Sequence, residues 1–201
     1  MLLTLNGLYL GAAHRASPAL FWTLDVSQFV LVPLLSLWAL WSFAGITPRD
    51  YGLSRLLGNE SRRLYALALL VSIFGYGAAS AAAKFVPELW GSSGFSYVDA
   101  LPLNPAGALL VLAYLCFSAA LVEEIVFRAL PLLFLSARSY PLVSALAFCA
   151  IHWENGSREL LATFLFGLAV AIFYARLKNL WPFVIGHALA DVLAFTGYYG
   201  G

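Results

Sequence analysis

The stretch PAGALLVLAYLCFSAALVEEIVFRALPLLFLSA (residues 105–137) decides the fold class of this chain. It is almost wholly apolar, and it is longer than the roughly 20 residues that a helix needs to cross the hydrocarbon of a bilayer. It nevertheless contains three charged residues, Glu123, Glu124 and Arg128. A charged side chain near the centre of a membrane helix costs at least about 2.5–3.5 kcal/mol. These three residues are therefore candidates for a buried ion pair or a reactive site.

The composition of the whole chain agrees with a membrane location. Of its 201 residues, 62% are hydrophobic and 10% are charged, whereas soluble domains have about 25% charged residues. We therefore expect an all-α, polytopic transmembrane helix bundle in which residues 1–201 form a single membrane domain within a lipid bilayer. The net charge of +1 makes nucleic acid an improbable partner. The short loops are typical of a prokaryotic protein, so the cell (inner) membrane is the expected location.

Hydrophobic runs predict about six spans and one segment that lies in the interface. The spans are residues 19–44, 64–86, 105–137, 140–153, 159–175 and 181–199. The third is too long for one upright crossing, so we expect tilt or a break near Pro131. The fourth is too short, and helices that stop inside a membrane generally line a cavity. Residues 1–13 are too short to cross alone and lack the basic start of a signal peptide, so we expect them in the mature protein, at the interface.

Basic residues occur in alternate loops. They are Arg49, Arg55, Arg62 and Arg63 after the first span, Arg138 after the third, and Arg176 and Lys178 after the fifth. The positive-inside rule assigns these loops to the cytoplasm. Both termini are then outside, and we expect the site to lie towards the cytoplasmic half. Cys116 and Cys149 lie in apolar runs and are predicted to be free thiols.

Helical spacing sorts the charged and polar residues within the spans. Glu124 and Arg128 are four residues apart and can pair on one face, which is most simply a packing role. Glu123 is rotated by about 100° from Glu124, so it lacks that partner and is free to face a cavity. His187 and Asp191 share a face in HALAD, and His152 ends FCAIH.

Five or more ionisable groups on three helices favour one wet cavity with hydrolytic chemistry. Asp25 has no evident partner in the sequence, and we expect it to have an interfacial or capping role.

Three motifs carry a resemblance to a known family. EEIVFR (residues 123–128) fits EExxxR, FCAIH (residues 148–152) fits FxxxH, and HALAD (residues 187–191) fits Hxxx(N/D). In this order they resemble the CPBP family, the CAAX prenyl endopeptidase and bacteriocin-processing intramembrane proteases, also called the Abi family. The text FGLAVAIFYARLKNLWPFVIGHALADVLAF (residues 166–195) is similar to that family's last two helices. The resemblance covers residues 105–195.

The resemblance implies a glutamate-type intramembrane endopeptidase that hydrolyses a peptide bond in a membrane-associated protein or peptide. Glu123 would then be the general base, acting with His152, while His187 and Asp191 would stabilise the oxyanion. Glu124 and Arg128 would support the motif helix. Prenyl-protein members carry Asn where this chain has Asp191, and an ionised Asp cannot donate a hydrogen bond, so Asp191 is expected to orient His187 or favour its protonated form.

A proton-coupled transporter with Glu123 and the histidines as a relay fits the polar residues but not the absence of paired broken helices in two matched halves. Two further alternatives remain at this point. The first is a non-catalytic membrane binding or immunity protein on the same scaffold. The second concerns cofactors: none is expected, but Glu, His and Asp are plausible zinc ligands, although the chain has no HExxH motif.

Overall fold

The computed structural model describes residues 6–53, 62–92, 100–195 and 197. These residues form seven helices and no strand. The helices are α1 (Asn6–Ala16), α2 (Pro18–Ala44), α3 (Arg62–Ala83), α4 (Pro105–Phe134), α5 (Tyr140–Ala150), α6 (Ser157–Leu177) and α7 (Trp181–Phe195). Four of them, α2, α3, α4 and α6, are long and apolar enough to cross a membrane. The predicted fold class, an all-α membrane helix bundle, is confirmed.

The two remaining apolar helices, α5 and α7, are shorter than a full crossing. Helix α5 has 11 residues and ends at Ala150, before a 3₁₀ turn at Trp153–Asn155. Helix α7 has 15 residues, so it ends earlier than the predicted sixth span, whose last residues lie largely outside the described part of the chain. Residues 1–5 of the predicted interfacial segment and Arg55 also lie outside it. The expected short fourth helix is present, and it ends beside His152.

Two of the long helices contain a π-helical turn that ends two residues before a proline. In α2 the turn is Ser27–Leu31, followed by Pro33, and in α4 it is Ile125–Ala129, followed by Pro131. Pro131 has no N–H and cannot bond to the carbonyl of Phe127 four residues earlier. The Ser144 hydroxyl of α5 donates to that carbonyl instead. The helix therefore continues to Phe134 without the break that we considered near Pro131.

Close contact between α3 and α7 depends on small residues. Helix α7 packs on α3 and α4, and α6 packs on α3 and α5. The Ser72 hydroxyl of α3 donates to the Phe183 carbonyl of α7 at 3.0 Å. A Cβ at Gly186 would collide with Ser72. Gly186 therefore allows the approach that brings the following residue, His187, towards α4.

Each end of the bundle is held by contacts between loops. At the end that carries the described basic loop residues, Leu180 N–H donates to the Gly52 carbonyl at 3.0 Å, and the Tyr174 hydroxyl donates to the Tyr51 carbonyl at 3.2 Å. At the opposite end, Ser157 N–H donates to the Trp90 carbonyl at 3.0 Å. Cys116 and Cys149 are free thiols, as predicted.

Candidate active site

The Glu124–Arg128 pair lies in the interior of the bundle. Nε of Arg128 is 3.4 Å from Oε2 of Glu124, and both side chains are completely buried. The pairing expected from the four-residue spacing is present, although Arg128 is within the π-helical turn. The guanidinium carbon of Arg128 lies 4.1 Å from the centre of the Phe148 ring. The charge of Arg128 is thus compensated by a carboxylate and by the face of an aromatic ring.

The imidazole of His187 contacts all three acidic residues of the motifs, Glu123, Glu124 and Asp191. Its Nδ1 lies 2.9 Å from Oε1 of Glu124, and because a carboxylate only accepts, Nδ1 carries the proton and donates. Its other nitrogen, Nε2, is 3.8 Å from Oε2 of Glu123 and 3.6 Å from Oδ1 of Asp191. The orientation of the imidazole is therefore set by Glu124, and Nε2 faces the two remaining carboxylates.

His152 is also held in one orientation. Its Nδ1 lies 2.9 Å from the carbonyl oxygen of Phe148. A carbonyl only accepts, so Nδ1 must be the donor, and in the neutral ring Nε2 is left as an acceptor. This nitrogen is the one available to the cavity that His152 lines.

The Phe148 ring packs against both histidines and Arg128. Its centre is 4.8 Å from the His152 ring and 5.9 Å from the His187 ring. It also covers Arg128 and is 1% exposed. The sequence marked Phe148 only as a motif letter, whereas in the fold its ring packs against Arg128 and both histidines.

A cavity of about 600 Å³ brings the predicted catalytic residues together. Glu123, His152, His187 and Asp191 all line it. The cavity extends to Ser92, Glu154 and Asn155, which belong to the end of the bundle away from the basic loops. The cavity expected from the polar residues on several helices is therefore present, and Glu124 and Arg128 are not among its lining residues.

Sequence reasoning missed two carboxylates of this cavity, Glu154 and Glu159. Glu159 stands in the first turn of α6, and both of its oxygens accept from the Tyr76 hydroxyl, at 2.8 and 2.9 Å. Both residues line the cavity. Glu159 starts an apolar run, a position that usually indicates the membrane interface. Its partner is distant in sequence, so no local spacing pointed to it.

The expectation for Asp25 was wrong. Instead of an interfacial or capping residue, Asp25 is a fully buried residue inside α2. The Tyr114 hydroxyl of α4 donates to its Oδ2 at 2.9 Å, and Asp25 lines the same cavity as Glu123. A pairing between separate helices supplies the partner that the sequence did not reveal.

Within the described part of the chain, no group of three or more His, Cys, Asp and Glu side chains is arranged to hold a metal ion. The three acidic residues around His187 surround one imidazole and make hydrogen-bond or ion-pair contacts with it. The observed geometry is thus that of a charge network.

Residues 105–193 match the family model described as type II CAAX prenyl endopeptidase Rce1-like. The chain carries an Rce1-like domain. This match confirms the family resemblance, covers somewhat under half of the chain and contains all three motifs. Comparisons with curated proteins and with solved structures found no match.

The Rce1-like domain does not form the cavity alone. It includes α4 to α6 and most of α7. The helices and loop before it contribute Asp25, Phe29, Tyr76 and Ser92 to the lining. The family match supports a CAAX-type intramembrane protease scaffold, and the preceding segments complete its cavity.

Proposed function

We propose that this protein is an intramembrane endopeptidase that hydrolyses a peptide bond in a membrane-associated protein or peptide with an activated water. The observation that carries the proposal is the position of Glu123 on a cavity within the membrane, with two oriented histidines beside it. A carboxylate and an imidazole at one cavity are suited to general acid–base catalysis.

In the proposed reaction Glu123 takes a proton from water as the oxygen attacks the carbonyl carbon of the substrate. His152, with Nε2 as acceptor, assists this step. The tetrahedral intermediate carries an oxyanion, to which Nε2–H of His187 donates. The intermediate then collapses: the C–N bond breaks, and the proton held by Glu123 passes to the leaving nitrogen. No metal is required by this sequence of steps.

Glu124 and Arg128 have positioning roles in this proposal. Glu124 holds Nδ1 of His187, so that Nε2 is directed to the side of Glu123. Arg128 compensates the charge of Glu124. Asp191 is next to Nε2, where its charge favours the imidazolium form that can donate to an oxyanion.

We propose that the reactive groups lie near the middle of a cell membrane, with His187 on the cytoplasmic side. His187 is roughly 9 Å along α7 from Trp181, and Glu124 is roughly 15 Å along α4 from Phe134. Both helix ends adjoin basic loops, and about 15 Å is half the thickness of the hydrocarbon. The cavity lining runs from there towards the opposite end of the bundle, so this end, rather than the basic one, is the proposed route for substrate.

The test uses the full chain in lipid nanodiscs, incubated with a library of apolar peptides whose fragments are identified by mass spectrometry. We expect cleavage by the wild-type protein, none by Glu123→Gln, and full cleavage by Asp50→Asn, a carboxylate-to-amide control in an exposed turn. Addition of a chelator should leave the wild-type rate unchanged. Full activity of a folded Glu123→Gln protein contradicts the mechanism, and a rate that the chelator abolishes favours a metal site.

The same experiment separates the enzyme from a non-catalytic binding protein. Peptides that bind equally well to the wild-type and Glu123→Gln proteins, with no fragment from either, would favour the binding protein.

A further inference from the structure

Asp25 has a feature that the proposed chemistry does not use. Its side chain is completely buried, and Oδ2 accepts from Tyr114. Oδ1 has no hydrogen-bond partner among the described residues. A buried carboxylate oxygen without a partner is costly, and this one belongs to a side chain that lines the cavity.

The cavity contains more acidic than basic groups. Five carboxyl side chains and two imidazoles line it, and no lysine or arginine appears among its described lining residues. Glu123 and Asp191 face His187, and Glu159 accepts from Tyr76. Asp25 and Glu154 also line the cavity, and both are buried.

Asp25 and Glu154 both influence the phenol of Tyr9 on α1. Burial, together with the negative charges of Asp25 and Glu154, raises the pKa of Tyr9 to about 12. Since both carboxylates influence one phenol and both line one cavity, they form a second acidic region, which we call the Asp25 subsite (Asp25 and Glu154).

We propose that the Asp25 subsite binds a cationic group of the substrate peptide. This inference rests on the proposed function, because it concerns the substrate of the same cavity. A substrate lysine or arginine would supply the opposite charge and the hydrogen-bond donors that Oδ1 of Asp25 lacks. The α-ammonium group of a peptide has the same chemistry and is the other possible source.

The helix geometry gives the spacing between this cation and the reacting bond. Tyr114, which holds Asp25, precedes Glu123 on α4 by roughly 14 Å along the helix. An extended peptide covers that distance in about four residues. We therefore expect the cation three to five residues from the scissile bond.

Binding is measured with the folded Glu123→Gln protein, which is expected not to cleave its ligand. The probes are short fluorescent Leu/Ala peptides, acetylated and amidated at their ends, with a single Lys, Arg, Gln or Glu moved along the sequence. We expect Lys and Arg peptides to bind at least about tenfold more tightly than Gln peptides. Adding Asp25→Asn should remove this preference, whereas adding Asp50→Asn should leave it intact.

A second set of peptides with a free amino end and no Lys or Arg identifies the source of the charge. Tight binding of this set alone assigns the subsite to the α-ammonium group. Equal binding of Lys, Gln and Glu peptides, with no tighter binding of the free-amino set, overturns the proposal. This comparison needs no substitution at Asp25, so it holds even if Asp25→Asn does not fold. A cation preference without any cleavage by the wild-type protein contradicts the proposed function but leaves the subsite intact.

Discussion

Nδ1 of His187 donates to Oε1 of Glu124 at 2.9 Å, across 63 positions of sequence. Glu124 is thus shared between Arg128, four residues later on its own helix, and His187 on α7. The carboxylate expected to make only a packing pair is also the group that orients the imidazole. Asp191, expected to orient His187 or to favour its protonated form, lies 3.6 Å from the other nitrogen.

The first prediction concerns the Glu124–Arg128 pair. We expect Glu124→Gln to lower the free energy of unfolding by about 3–5 kcal/mol, because it leaves the buried charge of Arg128 without its carboxylate. Thermal unfolding of the protein in detergent, followed by circular dichroism, measures the loss. Adding Arg128→Met to Glu124→Gln should restore part of the stability, since it removes the uncompensated charge. A double variant less stable than the single one would contradict this account.

The second prediction concerns Asp191. We expect Asp191→Asn to fold normally and to keep at least about a tenth of the cleavage rate, because Glu124 still orients His187 and the amide can itself donate to an oxyanion. Asp191→Ala should lose about 10²–10³-fold in rate, because it removes the charge that favours the imidazolium of His187 as oxyanion donor and supplies no donor in its place. Cleavage rates are measured on one peptide for both variants, and their unfolding curves show whether each variant is folded. If Asp191→Asn and Asp191→Ala are equally inactive, the reaction requires the negative charge of Asp191.

The third prediction concerns the contact between α3 and α7. We expect Gly186→Ala to destabilise the protein by about 1–3 kcal/mol and to reduce cleavage, because the new methyl group meets Ser72 and displaces the turn that carries His187. Gly75→Ala is the matched control, since its Cβ would lie 3.4 Å from Phe166, an ordinary contact.

A rescue tests the cause of the Gly186 effect. Adding Ser72→Gly to Gly186→Ala removes the colliding carbon and should restore part of the folded yield and the cleavage rate. The recovery is partial because the hydrogen bond to the Phe183 carbonyl is lost and the Leu69 carbonyl oxygen stays 3.0 Å from the new methyl carbon. Failure of the rescue, with Gly75→Ala unaffected, would show that helix separation is not the source of the loss.

The fourth prediction concerns the π-helical turn that contains Arg128. Ser144→Ala removes the hydroxyl that donates to the Phe127 carbonyl, which Pro131 cannot satisfy. We expect a loss of about 1–3 kcal/mol in the free energy of unfolding. Ser36→Ala is the control, because that hydroxyl is exposed and bonds only to the Val32 carbonyl of its own helix. Equal unfolding temperatures for the two variants would argue against this role of Ser144.

Much of the fold was predictable because the bilayer imposes it. Within a membrane every backbone polar group must be satisfied inside the protein, so long apolar runs become helices. The runs in residues 105–137 and 159–175 predicted α4 and α6 to within a few residues. The turn at Ile125–Ala129 was not predictable in this way, because it depends on a hydroxyl supplied by α5.

The sequence by itself determined which residues share a face within one helix. Residues four apart share a face, so the Glu124–Arg128 pair and the common face of His187 and Asp191 could be read from the residues alone. Only the tertiary structure decided the pairings between helices: His187 with Glu124, Tyr114 with Asp25, and Tyr76 with Glu159, separated by 63, 89 and 83 positions. Helix packing selects these contacts through the fit of small residues such as Gly186. The spacing of residues within one helix does not predict which face of another helix will contact it.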